Sequence, residues 1–232
     1  MKKVGIVGGT GPEATLAYYQ SILAKVQERL GNQEVLPELF IASIDMYRIF
    51  QLLETNRHAD LVDYLTKAVQ SLERAGADFA VLSANTSHIV FEQVQKQANI
   101  PLISIVEATC AEAAAQELAK VGLIGTEFTM EHDFYQKTFA QHGIEVVVPE
   151  AEDQQYIHQK IVDELERGVV KPETKEQFLK MIEKLAAAHE LQGIILGCTE
   201  LPLLIKPADL QLPQLNTTAI HVNHIVDEIV GG

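Results

Sequence analysis

A chain of 232 residues, 47% hydrophobic and 22% charged, is long enough for one large or two small domains with ordinary cores. Its net charge of -14, with 18 scattered Lys and Arg against 32 Asp and Glu, excludes nucleic acid as the expected partner, since such binding draws on clustered cations. No apolar run reaches the ~18–20 residues of a membrane span, MKKVGIVGG has no secretory leader pattern, and Cys110 and Cys198 are too few for a disulfide or zinc framework. A cytoplasmic protein with free thiols and no membrane contact is expected.

Apolar runs of strand length alternate with amphipathic segments of helix length, the pattern of a mostly parallel α/β sheet layered by helices. Strands are expected near 2–8, 38–44, 78–83, 100–105, 120–125, 144–148, 193–197 and 212–216. Helices are expected near 12–29, 56–75, 87–97, 106–118, 130–142, 153–167, 173–189 and 218–230.

The first strand runs into Gly8-Gly9-Thr10-Gly11-Pro12, which formally contains the dinucleotide fingerprint G-x-G-x-x-A. Glu13 would place a negative charge where a pyrophosphate sits, and Asp45 follows Gly11 by 34 residues instead of ~20. Two readings remain for Gly9 and Thr10: a turn whose N–H groups receive a small carboxylate, or one required only by packing. After the second strand, Arg48 in SIDMYR supplies local positive charge or is a solvated loop residue. After the third strand comes ANTSH. Its Asn85, Thr86 and Ser87 precede a helix, where they hold a carboxylate or cap the helix. Thr126 and Thr129 invite the same two readings.

Cys110, mid-helix among alanines, reads as core. Cys198 stands at a strand end in Gly197-Cys198-Thr199-Glu200, where a following helix N-terminus lowers a thiol pKa and makes it a usable base or nucleophile. His221 and His224 are spaced i, i+3, but no carboxylate or cysteine cluster accompanies them. Surface or capping roles are expected for them, and no metal site. His88 alone lies near the proposed site.

The chain also repeats itself. VGIVGGTG from Val4 matches VGLIGTEF from Val121, FAVLSANTSHIV from Phe79 matches GIILGCTELPLL from Gly193, and the stretch from Ile100 matches that from Leu212, at steps of about 112–117 residues. Two pseudo-symmetric three-layer halves are expected: 1–105 with the last helix 218–232, and 106–217. Ligands gather outside the carboxyl ends of parallel strands, so the SANTSH and GCTE tips are expected to meet in a cleft between the halves.

GIVGGTGPEAT, ANTSH, GCTE and NTTAIH resemble the aspartate/glutamate racemase family over essentially the whole chain. The resemblance implies a racemase that needs neither pyridoxal phosphate nor another cofactor, takes aspartate or glutamate as substrate, and forms a homodimer. In that family one thiolate removes the α-proton and a second thiol reprotonates the opposite face. Cys198 matches the second thiol; Asn85, Thr86 and Thr199 match the substrate carboxylate ligands, Ser87 and Glu200 beside them are expected to hold substrate too, and Arg48 would meet a side-chain carboxylate. Ala84 stands where the first thiol is expected. Ser83 on a strand should point away from the face of Ala84, which leaves Thr86 or a held water as stand-in. Two alternatives are a Cys198-dependent isomerase of a small dicarboxylate, like the maleate isomerases, and a carboxylate-binding protein.

Overall fold

The short apolar runs separated by helices form parallel strands, because a crossover through a helix returns the chain in the same direction. The computed structural model describes residues 1–231 and divides into two units, one of Met1–Ile105 with the chain from His221 onward, the other of Val106–Ile220. In the first unit, β1 (Val4–Gly8) pairs with β2 (Leu39–Ser43) and β3 (Phe79–Leu82), and β4 (Leu102–Ile103) adds to β3, giving the order β2-β1-β3-β4. Its helices are α1 (Pro12–Leu30), α2 (Met46–Glu54), α3 (His58–Ala75) and α4 (Phe91–Gln97). Every residue of β1 and β3 is buried, as a parallel strand covered on both faces requires.

The second unit carries α5 (Ile105–Ala115), β5 (Lys120–Ile124), α6 (Glu127–Glu131), α7 (Phe134–Ala140), β6 (Glu145–Val147), α8 (Ala151–Asp163), α9 (Pro172–His189), β7 (Gly193–Leu196), α10 (Leu201–Leu204) and β8 (Gln214–Asn216). Its sheet order is β6-β5-β7-β8. Both sheets thus share one order, displaced by four strands, and the sequence repeat is a repeat of topology. The last helix, α11 (Thr217–Val230), sends Val222, Ile225, Val226 and Ile229 into the first unit's core beside Val4, Ile6, Tyr18, Ile22, Phe79 and Val81.

Three helix expectations are corrected. SIDMYR is no loop: the Asp45 carboxylate accepts the Tyr47 N–H at 2.9 Å and caps α2, which buries Ile49, Leu52 and Leu53 at helical spacing, so Arg48 is a helical residue. The helix expected over 130–142 is two, broken at His132 and Asp133. The helix expected over 153–167 ends at Asp163, and a 3-10 turn over Leu165–Arg167 follows.

Candidate active site

Gly9 follows β1 with φ +83°, and a Cβ there would lie 2.3 Å from the Ile44 carbonyl oxygen. Its N–H donates to Thr15 Oγ1 at 2.8 Å. Packing therefore accounts for this glycine, and its N–H is not offered to a carboxylate as one reading had it. Thr10 follows, partly exposed.

Beyond β3, the buried Ser83 hydroxyl donates to the Val7 carbonyl at 3.0 Å, so it is committed to the sheet. Ala84, Asn85 and Ser87 are buried and Thr86 is partly exposed. Asn85 begins a 3-10 turn, Thr86–Val90, without a capping bond from its side chain. His88 holds this loop: its Nδ1 lies 3.0 Å from the Ala84 carbonyl, and its Nε2 accepts the Ile105 N–H at 3.2 Å. An accepting Nε2 leaves the proton on Nδ1, so the ring is neutral. Burial lowers its pKa to about 4. His88 therefore shapes the loop from behind.

His221 corrects the surface expectation. It is fully buried, with Nε2 3.0 Å from the Ile103 carbonyl and Nδ1 2.8 Å from the Tyr18 hydroxyl. Burial pushes its pKa down to about 3.

In the second unit the loops after β5 and β7 approach closely because both carry glycine. A Cβ on Gly125 would lie 3.0 Å from the Gly197 carbonyl oxygen, and Gly197 N–H donates to the Ile124 carbonyl at 2.7 Å. Thr126 and Thr129 are buried there with hydroxyls 3.1 Å apart. Cys198 is 7% exposed, and its thiol donates to Glu200 Oε2 at 2.9 Å. The Thr199 hydroxyl donates to the same oxygen at 2.6 Å. Thr199 and Glu200, both expected to hold substrate, hold each other and the thiol.

These neighbours reverse the expected electrostatics. Burial first, then the Glu200 charge and hydrogen bond, and the more distant Glu166 charge, raise the Cys198 pKa well above its ordinary value. The four-residue α10 is too short to offset a carboxylate in contact. Cys198 is thus a protonated thiol at neutral pH, with a carboxylate placed to take its proton.

Glu166 is the residue that the sequence reading missed. It lies on the 3-10 turn Leu165–Arg167, which packs against α10, and burial and the Glu200 charge raise its pKa to about 7 against the opposing pull of Arg167. Glu164 anchors this turn: its carboxylate receives Lys160 at 2.7 Å, Lys171 at 3.1 Å and Thr174 at 2.6 Å, and those bonds hold its pKa at about 2.

Arg48, in the first unit, is exposed, with its guanidinium 4.4 Å from the centre of the Tyr64 ring. Among the described residues no group of three His, Cys, Asp or Glu is arranged to hold a metal, and no helix is long and apolar enough to cross a membrane.

A buried thiol hydrogen-bonded to a carboxylate stands at a strand end of a doubled parallel α/β topology, and residues 7–225 match the family model for Asp/Glu/Hydantoin racemase. The chain belongs to that family. It is accordingly an isomerase of the racemase type. Among the racemases it is 25% identical over 222 residues to the broad specificity amino-acid racemase RacX of Bacillus subtilis, covering 93% of each chain. The crystal structure of an aspartate racemase homologue from Pyrococcus horikoshii matches with 39% identity and a TM-score of 0.85, over 99% of this chain and 100% of that one. A Yersinia pestis structure provisionally assigned as an Asp/Glu racemase matches at 34% identity and a TM-score of 0.91, over 99% and 100%.

Proposed function

We propose that this racemase interconverts the enantiomers of an acidic amino acid, aspartate or glutamate, without a cofactor. The Cys198–Glu200 contact of 2.9 Å carries the reading. With Glu200 holding its proton, the Cys198 sulfur takes the proton from Cα, the C–H electron pair passes into the substrate carboxylate, and a proton returns to the opposite face. In the reverse sense the Cys198 thiol gives its proton to the carbanion. Ala84 can neither give nor take a proton, so Thr86 or a held water serves the second face. Asn85 and Thr86 bind the α-carboxylate, Arg48 the side-chain carboxylate, and a cleft between the units is part of the proposal, as are a homodimer and a cytoplasmic setting. A Cys198 nucleophile, as the dicarboxylate isomerase reading needs, draws on the same thiolate, and the match to the racemase family model over residues 7–225 favours the base.

Incubation of L- and D-aspartate and glutamate in deuterated buffer, read by mass and chirality, tests the proposal. One enantiomer, L on the family geometry, is expected to exchange its Cα–H faster than it inverts, and Cys198→Ser to suppress both. Ala84→Cys supplies the second thiol and should raise racemisation by about 10²- to 10⁴-fold, with far less effect on exchange. Unchanged racemisation in Ala84→Cys, with Cys198 still reactive, would overturn the reading.

A further inference from the structure

Arg29 and Arg57 are paired with Asp227 and Asp60. Arg48, like Arg74 and Arg167, forms no ion pair with a carboxylate among the described residues, although acids outnumber bases 32 to 18 in this chain, and of these three it is the one laid over an aromatic ring. It is the third residue of α2, just beyond the carboxyl end of β2, which is the ligand side of a parallel sheet. Its guanidinium lies over the ring of Tyr64 on α3, with the guanidinium carbon 4.4 Å from the ring centre, and no hydrogen bond occupies its donors among the described residues. The Tyr64 hydroxyl in turn accepts the Asp45 N–H at 2.9 Å, and Asp45 is the residue whose carboxylate caps α2. One side chain thus ties down the start of the helix that carries Arg48 and provides a shelf for its charge.

The two uses of a guanidinium are orthogonal. Stacking on an aromatic ring engages the face, whereas paired hydrogen bonds to a carboxylate leave from the edge in the plane. The shelf therefore immobilises Arg48 without occupying the donors that recognise an anion. An arginine ordered beforehand loses less rotamer freedom on binding.

We propose that Tyr64 is the positioning residue that presents Arg48 to the second carboxylate of the substrate, so that its ring sets the preference for acidic over neutral amino acids. This rests on the reading of Arg48 as the ligand of the side-chain carboxylate. Lysine would keep the charge but not the planar stack or the paired donors, so Arg48→Lys should resemble loss of the shelf.

The test compares Tyr64→Leu, Tyr64→Phe and Arg48→Lys with the unmodified chain, using aspartate and alanine in the deuterium-exchange assay. Tyr64→Leu should raise KM for aspartate by about 3- to 10-fold, with kcat within about twofold, because a cation–π contact of this kind is lost. The kcat/KM for alanine, which lacks a second carboxylate, should change far less. Tyr64→Phe keeps the ring and should recover most of the lost affinity. Equal losses for aspartate and alanine would show a merely structural role, and an unchanged KM for aspartate in Tyr64→Leu, whatever Arg48→Lys does, would overturn the proposal. If the unmodified chain exchanges neither substrate, the racemase reading falls, and calorimetric titration with succinate decides the present one. A 3- to 10-fold weaker Kd in Tyr64→Leu supports it, and an equal Kd overturns it.

Discussion

At the scale of single residues, Cys198 is controlled by the carboxylates behind it. Glu200 accepts its hydrogen bond, and Glu166, its pKa raised to about 7, adds a further negative charge near the thiol as pH rises through neutrality. Removing either charge should lower the thiol pKa. In a Cys110→Ala background, Glu166→Gln should speed iodoacetamide labelling of Cys198 at pH 8 by about 3- to 10-fold, and Glu200→Gln by more. Labelling followed by mass spectrometry from pH 6 to 10 checks this, and identical profiles for all three proteins would rule out the coupling. The GCTE tip itself could be read from the sequence, since Gly, Cys and Thr directly after an apolar run mark the carboxyl end of a parallel strand. The direction of the shift could not, because it depends on which side chain Glu200 turns toward. Glu166 carried no signal at all: a glutamate in a helical run looks solvated until the helix stops short of it.

At the scale of elements, two buried neutral histidines act as clips. His88 joins the ANTSH turn to the start of α5, and His221 joins α11 to α1 and the end of β4. Both have folded pKa values, about 4 and about 3, below the 6.5 of a free imidazole. The unfolded chain therefore binds more protons below pH 6.5, and the stability that the clips contribute is complete above that value and lost as pH falls toward 4 and then 3. Urea midpoints measured at pH 7, 6 and 5 should fall with pH. His88→Asn, which keeps a donor toward the Ala84 carbonyl but does not titrate, should flatten the dependence by about 1.4 kcal/mol per pH unit. An equally steep fall in His88→Asn would remove His88 from the account. The strands were legible because a strand covered on both faces is a continuous apolar run. α2 was passed over although its cap and its Ile49, Leu52 and Leu53 spacing were present. The break at Asp133 carried a signal too, a helix-capping residue four positions before the Lys137 with which it forms an ion pair.

At the scale of the molecule, the two sheets share one strand order, but the units are assembled differently along the chain. The second is continuous, whereas the first needs the last helix, which fills its core with Val222, Ile225, Val226 and Ile229 and is bonded back through Lys2 N–H to the Ile229 carbonyl at 2.9 Å. Ion pairs of Lys2 with Glu228 and of Arg29 with Asp227 add to that seam. A chain stopped at Ile220 strips four buried aliphatic side chains from the first unit, a loss on the order of 6–12 kcal/mol of apolar burial that is comparable with the whole usual stability of a domain, about 5–15 kcal/mol. Hydrogen exchange on that shortened chain should show β1 and β3 unprotected while β5 and β7 stay protected. Retained protection in β1 would show that α11 is dispensable.

The same discontinuity sets an order of birth on the ribosome. The first half of the chain to emerge is the last that can finish folding, since its closing helix is made only after the whole second unit, about 115 residues later. At roughly 5–20 residues per second that is a wait of about 6–23 s, during which the flank of β1 and β3 destined for α11 stays uncovered. The younger half can meanwhile close on itself. For such a nascent chain, the interval before its final helix arrives is when chaperones and aggregation compete for it.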